Sequence, residues 1–173
     1  QDVVSALQVP AADNSSMDGY AVRCADVLVG GTLPVSQRIA AGNAGAPLQP
    51  GTAARIFTGA PVPLGADAIV MQEDCEALED GSVRINVVPP AGQWIRRAGE
   101  DITHGAVVLT AGTRLTPAGL GLAASVGLAQ LQVARRPRVA LFSTGDELVM
   151  PGDVAPQDMR PGAIYNSNRF VLR

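Results

Sequence analysis

Four short segments concentrate the side chains that could do chemistry. The first, Asp13-Asn14-Ser15-Ser16-Met17-Asp18-Gly19-Tyr20-Ala21-Val22-Arg23, packs two carboxylates, an amide and two hydroxyls into six positions. It also reads as a turn in which Asp18-Gly19 reverses the chain while Asp13 and Ser15 bond to nearby backbone. It is not a calcium loop. Counted from Asp13, the fifth, sixth and twelfth residues are Met17, Asp18 and Cys24, where such a loop needs an oxygen ligand, a glycine and a glutamate. The second, Arg55-Ile56-Phe57-Thr58-Gly59-Ala60-Pro61-Val62-Pro63, is a strand entering a proline-stiffened loop whose amide N–H groups beside Thr58 could receive an oxyanion. The third, Gln93-Trp94-Ile95-Arg96-Arg97-Ala98-Gly99-Glu100-Asp101, sets paired arginines and paired acids around one glycine, with a solvated charged loop as the plain alternative. The fourth, Phe142-Ser143-Thr144-Gly145-Asp146-Glu147-Leu148, places two carboxylates just after an apolar run. Open α/β sheets bind ligands at that end of a strand.

Together these residues suit a phosphorylated ligand. Arginine grips phosphate with two parallel hydrogen bonds. Carboxylates would repel the same phosphate unless a divalent cation reverses the local field, and Mg²⁺, which binds through few carboxylates plus substrate oxygens, is the natural bridge. Residue chemistry alone therefore points to Mg²⁺-dependent chemistry on a phosphorylated substrate.

The inventory also excludes. All 13 basic residues are arginine, so no lysine is present to form a Schiff base or to complete a phosphate-binding P-loop. His104 is the single histidine, which rules out a zinc site needing two. Cys24 and Cys75 form no CxxC pair and read as reduced thiols. A net charge of -3 and 3% aromatics leave neither a basic footprint nor a stacking platform for nucleic acid. Residues 115–134 lack charge for the length of a membrane span, but Pro117, Gly119, Gly121, Gly127, Gln130 and Gln132 make them too polar. No membrane partner is expected. Without an export signal, the cytoplasm is the expected compartment and the Asn14-Ser15-Ser16 sequon is incidental. Gly119-Leu120-Gly121-Leu122-Ala123-Ala124 matches a dinucleotide fingerprint, yet its glycines fall inside a helix opened by Thr116-Pro117 rather than at a strand-to-helix turn.

The elements that must position these segments divide in texture. Short apolar runs at Val35 to Ala40, Ala53 to Phe57, Ala68 to Gln72, Ser82 to Val88 and Ala106 to Thr110, separated by Gly and Pro turns, read as β-rich over residues 1 to about 110, with a β-rich insertion domain set at residues 1–105. Residues 106–135 follow as a helix-strand segment: a helix from Thr116-Pro117 to about Val126, then a strand over Leu128 to Val133. Residues 136–173 read as the opening strand-loop-helix of an α/β domain with a mostly parallel sheet. Val139 to Phe142 is the buried strand and Asn166 or Ser167 the helix cap. The expected class is thus α+β and multi-domain.

The four segments, with Gly65-Ala66-Asp67-Ala68-Ile69-Val70-Met71-Gln72-Glu73 and Ile164-Tyr165-Asn166-Ser167-Asn168, occur in an order and spacing that resemble the molybdopterin molybdenumtransferase family, which includes the gephyrin E domain. The resemblance spans the whole chain and implies an internal fragment of a longer protein. It implies an enzyme of molybdenum cofactor biosynthesis that uses Mg²⁺ and takes molybdate and adenylylated molybdopterin as substrates, releasing AMP. Carried over residue by residue, Asp18, Thr58, Asp101 and Glu147 fall on catalytic positions, with Asp18, Asp101 and Glu147 toward the metal. Substrate contacts fall to Ser15 and Met17 in the first segment, Gly59 in the second, Arg97 in the third, and Thr144, Gly145, Asp146 and Asn166 beyond. Trp94 departs from the family pattern, which has a small polar residue such as asparagine there. The resemblance also implies a homodimer with each site shared between subunits, an upstream pterin-adenylylating enzyme, and inactivity of the fragment alone. A gephyrin-like scaffolding module and a tungsten-inserting paralogue are the alternatives.

Overall fold

A computed structural model describes residues 1–172. The chain forms two compact units, Gln1–Leu131 and the residues from Gln132 onward.

In the first unit, strands β1 (Val3–Val4), β2 (Asn14–Ser15), β3 (Gly19–Val22), β4 (Gly31–Ile39), β5 (Ala53–Ile56), β6 (Ala68–Met71), β7 (Cys75–Ala77), β8 (Ser82–Ile85), β9 (Ile95–Arg96) and β10 (Val107–Leu109) precede helix α1 (Pro117–Ser125). Six strands make a curled mixed sheet in the order β6-β3-β5-β4-β8-β7, in which only β4 and β5 run parallel. Alternate residues feed two cores. Tyr20, Val22, Val70, Val83 and Ile85 enter one, while Ala21, Ile39, Ala54, Ile56 and Ile69 enter the other. Because both faces are covered, the central strand β3 is buried along its whole length, Gly19-Tyr20-Ala21-Val22. Two smaller ladders, β2 with β9 and β1 with β10, complete the unit.

Several expectations hold. All five apolar runs supply strands, and Thr116 caps α1 by accepting the Gly119 amide. The fingerprint glycines lie within α1. Gly19 differs: it opens β3 instead of turning the chain, and a Cβ there would collide with the Val70 carbonyl oxygen, so the glycine serves a close strand approach.

The second unit contains β11 (Leu148–Val149), β12 (Ile164–Tyr165) and helix α2 (Asn168–Val171). β11 and β12 pair in parallel, Leu148 opposite Ile164. The strands expected over Leu128 to Val133 and Val139 to Phe142 are not formed. A strand exists only against a partner that takes its backbone hydrogen bonds, and among the described residues none lies beside these runs. Val139 and Phe142 are accordingly 85% and 84% exposed. The architecture is therefore mostly β with few helices. Among the described residues no helix is long and apolar enough to cross a membrane.

Candidate functional site

Strand β2 is the hub of the candidate site in the first unit. Asn14 and Ser15 pair with Arg96 and Ile95 of β9, and Asn14 also bridges to Pro61. The Ser15 amide donates to the Ala60 carbonyl at 3.0 Å, and the Gly59 amide donates to the Ser15 carbonyl at 2.8 Å. Ser16 N–H reaches the Trp94 carbonyl at 2.9 Å. Three of the four chemistry-bearing segments are thereby laced together through backbone bonds.

Within this lacing, the Ser15 hydroxyl is buried, donates to the Met17 carbonyl at 2.6 Å and accepts from the Met17 amide. It shapes the loop that presents Asp18. Asp18 Oδ1 accepts from both the Thr58 amide and the Thr58 hydroxyl, each at 2.8 Å. These two bonds, led by the backbone N–H and assisted by the Arg55 charge, hold the Asp18 carboxyl below the usual carboxylate range. Neither bond engages Oδ2. Asp18 is therefore a firmly ionised carboxylate beside an exposed Thr58-Gly59 corner, where Gly59 takes a φ of 80° that favours glycine.

The third segment is held by ion pairs. Arg97 donates to Asp13 at 2.6 Å, and the Ala98 amide donates to the other Asp13 oxygen at 2.8 Å. Asp13 thus bonds to residues more than eighty positions away, not to the local backbone that a turn reading implies. Asp101 accepts from Arg96 at 2.5 Å, and Glu100 sits 3.7 Å from the same guanidinium. Two roles were illegible in the sequence: Asp13 as the anchor of Arg97, and Arg96 as the partner of Asp101. Only tertiary pairing reveals which of several nearby opposite charges meet. Trp94 adopts a φ of 55°, a left-handed conformation that suits asparagine or glycine, which gives a backbone reason for the small polar residue expected at this position. Trp94 Nε1 and Asn14 Oδ1 are buried without a hydrogen-bond partner among the described residues.

In the second unit, Asp146 and Glu147 form the corner of an exposed turn closed by the Leu148 amide on the Gly145 carbonyl at 3.1 Å. Gly145 has a φ of 150°, and the Glu147 carboxylate folds back over it. A cleft of about 260 Å³ lies between residues 141–144 and 164–169, with Thr144 and Asn166 on its wall. Asn166 is buried, and its side-chain oxygen accepts the Arg169 amide at 3.3 Å to start α2. His104 is exposed, apart from these contacts.

Asp18 and Thr58 are in direct contact, and Ser15, Gly59 and Met17 belong to the same knot. Asp101 is turned toward Arg96. Among the described residues no three His, Cys, Asp or Glu side chains gather as a ready-made metal site. Mg²⁺ does not require one, because it binds through one or two carboxylates plus substrate oxygens, and the ionised Asp18 with its free Oδ2 fits that demand.

A family model described as the MoeA N-terminal region, domains I and II, matches residues 1–127. The chain is 44% identical to a molybdopterin molybdenumtransferase of Haemophilus influenzae, covering all of this chain and 42% of that protein. It is 50% identical to molybdopterin molybdenumtransferase 2 of Mycobacterium tuberculosis, over 99% of this chain and 42% of the relative. The crystal structure of a molybdopterin biosynthesis MoeA protein from Pyrococcus horikoshii superimposes with a TM-score of 0.88 at 30% identity, covering 99% of this chain and 46% of that one. The chain thus spans about two fifths of the length of these enzymes. With its residues 1–127 matching domains I and II, and relatives of this name along its whole length, the chain belongs to the MoeA family of molybdopterin molybdenumtransferases.

Proposed function

We propose that this chain supplies the Asp18–Thr58 part of the active site of a molybdopterin molybdenumtransferase, which takes molybdate and adenylylated molybdopterin and releases AMP as the molybdenum cofactor forms. The observation that carries this reading is the double bond of Thr58 to one oxygen of Asp18, which leaves an ionised carboxylate facing outward beside an exposed hydroxyl corner. A carboxylate so held keeps its charge and its orientation when a phosphate-bearing substrate arrives.

Mg²⁺, when bound, supplies charge neutralisation of the pyrophosphate linkage, and Asp18 with Asp101 and Glu147 are the residues proposed to hold it. Thr58 keeps Asp18 aimed; its amide is committed to Asp18 and the Gly59 amide to the Ser15 carbonyl, so the corner acts by fixing that carboxylate and not by receiving an oxyanion on its backbone N–H groups. Arg97, fixed to Asp13, brings a positive charge to the rim of the same loop cluster. Ser15 and Met17, joined by the Ser15 hydroxyl, are assigned to substrate contact in the same loop. Thr144, Gly145, Asp146 and Asn166 are assigned to the pterin substrate. Assembly as a homodimer, with Asp18, Thr58 and Asp101 from one subunit facing Glu147 of the other, is part of this proposal. So are a cytoplasmic setting and supply of the adenylylated pterin by an upstream pterin-adenylylating enzyme.

The test is AMP release by the full-length protein, supplied with adenylylated molybdopterin, molybdate and Mg²⁺. Asp18→Asn, Asp101→Asn and Glu147→Gln are expected to abolish most turnover while folding and dimerisation persist. Undiminished AMP release by the Asp18→Asn protein would reject the reading.

A further inference from the structure

We propose that Arg55 is a positioning residue of this reaction, clamping the backbone on both sides of the Asp18–Thr58 pair. The inference rests on the catalytic reading of that pair. Arg55 lies on β5 directly across from Tyr20 on β3. One end of its guanidinium, Nη1, donates to the Gly19 carbonyl at 2.9 Å, and the other, Nη2, donates to Gln72 Oε1 at 2.7 Å. Gln72 in turn donates its backbone N–H to the Asp18 carbonyl at 3.0 Å. The peptide groups of Asp18 and Gly19 are thus both tied, one directly and one through Gln72, to a single side chain.

The same guanidinium reaches the other partner through stacking. Its central carbon lies 4.6 Å from the centroid of Phe57, the residue before Thr58, and 5.2 Å from that of Tyr20. Arg38 stacks on Phe57 as well, at 4.4 Å. The result is a closed loop of contacts running from Arg55 to Gly19, through Asp18 to Thr58, and back through Phe57 to Arg55. Gly19 passes so close to Val70 within it that a Cβ there would collide with the Val70 carbonyl oxygen. Only a planar, forked cation can donate in two directions and stack on two rings at once. Lysine, a compact ammonium on a flexible stem, has neither the plane nor the fork.

A residue that merely packs the sheet face would, when removed, lower the melting temperature and leave turnover per folded molecule intact. A positioning residue acts on kcat, because a misplacement of about 1 Å can cost about 10²-fold in rate. The experiment compares full-length wild type, Arg55→Gln and Arg55→Lys, with Arg84→Gln as a control. Arg84 pairs with Glu76 on strands β8 and β7, outside the site. Steady-state AMP release gives kcat and KM, and selective ¹⁵N-threonine labelling gives the Thr58 amide proton shift, which lies downfield while that amide is bonded to a carboxylate.

The expected result is a kcat roughly 10²-fold lower in Arg55→Gln, KM within about threefold, no rescue by Arg55→Lys, and an upfield move of the Thr58 amide. An unmoved Thr58 resonance, with or without loss of rate, overturns the proposal, as does a moved resonance with unchanged kcat in an enzyme that needs Asp18. If Arg55→Gln fails to fold, Arg55→Lys carries the same two readouts. Should Asp18→Asn prove fully active, the catalytic reading fails by itself, and the Thr58 resonance still decides whether Arg55 holds the pair.

Discussion

Thr58 grips Asp18 twice, with its amide and with its hydroxyl, and both donors converge on one carboxylate oxygen at 2.8 Å. The two residues are 40 positions apart and meet because β3 and β5 lie side by side, Gly19 opposite Ile56. Such a bond pair fixes rotation of the carboxylate as well as its charge.

The two Thr58 donors can be separated by mutation. Thr58→Ser keeps both and is expected to retain most AMP-release activity in the full-length enzyme. Thr58→Ala keeps only the amide, and activity should fall about 10- to 100-fold, the usual consequence of removing a group that orients a ligating carboxylate. Equal activity in the two variants would show that the hydroxyl contributes nothing.

Asp13 ties acid stability to the loop carrying Arg97. Its folded-state pKa is depressed below the ordinary 3.8, first by the Ala98 amide and then by Arg97. The unfolded chain therefore binds the proton more readily, and the stabilisation is complete above about pH 4 and disappears as pH falls through the lower folded value. Urea midpoints of wild type and Asp13→Asn should differ at pH 7, and the gap should narrow steadily as the pH is lowered below the ordinary carboxylate range. A gap that stays constant with falling pH would mean the loss is packing, not charge.

Both thiols should be sluggish. Burial, reinforced by Asp67 at Cys24 and by Asp74 at Cys75, raises each from 9.0 to about 11. Since the thiolate is the nucleophile, alkylation by iodoacetamide at pH 8 should run about 100-fold slower than for a free cysteine, and return to normal in urea. Fast native labelling at either position would contradict this.

Trp94 offers a stability test with opposing terms. Replacing a buried tryptophan ordinarily costs about 3–5 kcal/mol, and a half-buried ring about half of that. Against this, Trp94→Asn relieves a left-handed backbone worth about 1 kcal/mol and removes a buried, unpartnered Nε1 worth about 1 kcal/mol more. The net change should lie within about 1 kcal/mol, seen as a melting-temperature shift of only a few degrees. A shift above 10 °C would show that packing prevails.

What was readable in advance followed from local rules. The Thr116-Pro117 start of α1 rests on one cap and one ring-fixed φ, and it appears where the pattern puts it. The five apolar runs became strands because turn residues punctuate them. Val139 to Phe142 reads identically and yet stays unpaired, since pairing depends on a neighbour that no local pattern encodes. For the candidate site, adjacency of hydroxyls, acids and arginines picked out segments of which the fold laces three together. The specific matches, Asp18 with Thr58, Asp13 with Arg97 and Asp101 with Arg96, depend on strand register and lay beyond the reach of spacing.

Strand β6 lies at one border of the six-stranded sheet and is wholly apolar, Ala68-Ile69-Val70-Met71. The segment leading to Arg96 closes over it: Ile69 donates to the Gln93 carbonyl at 3.0 Å, and Gly92 donates to the Asp67 carbonyl at 2.7 Å. The stretch that carries ion-paired arginines therefore also acts as a guard against self-association. Cleaving it near Pro90-Ala91 is expected to bare an apolar edge open to pairing with other chains, which light scattering by the cleaved protein would register.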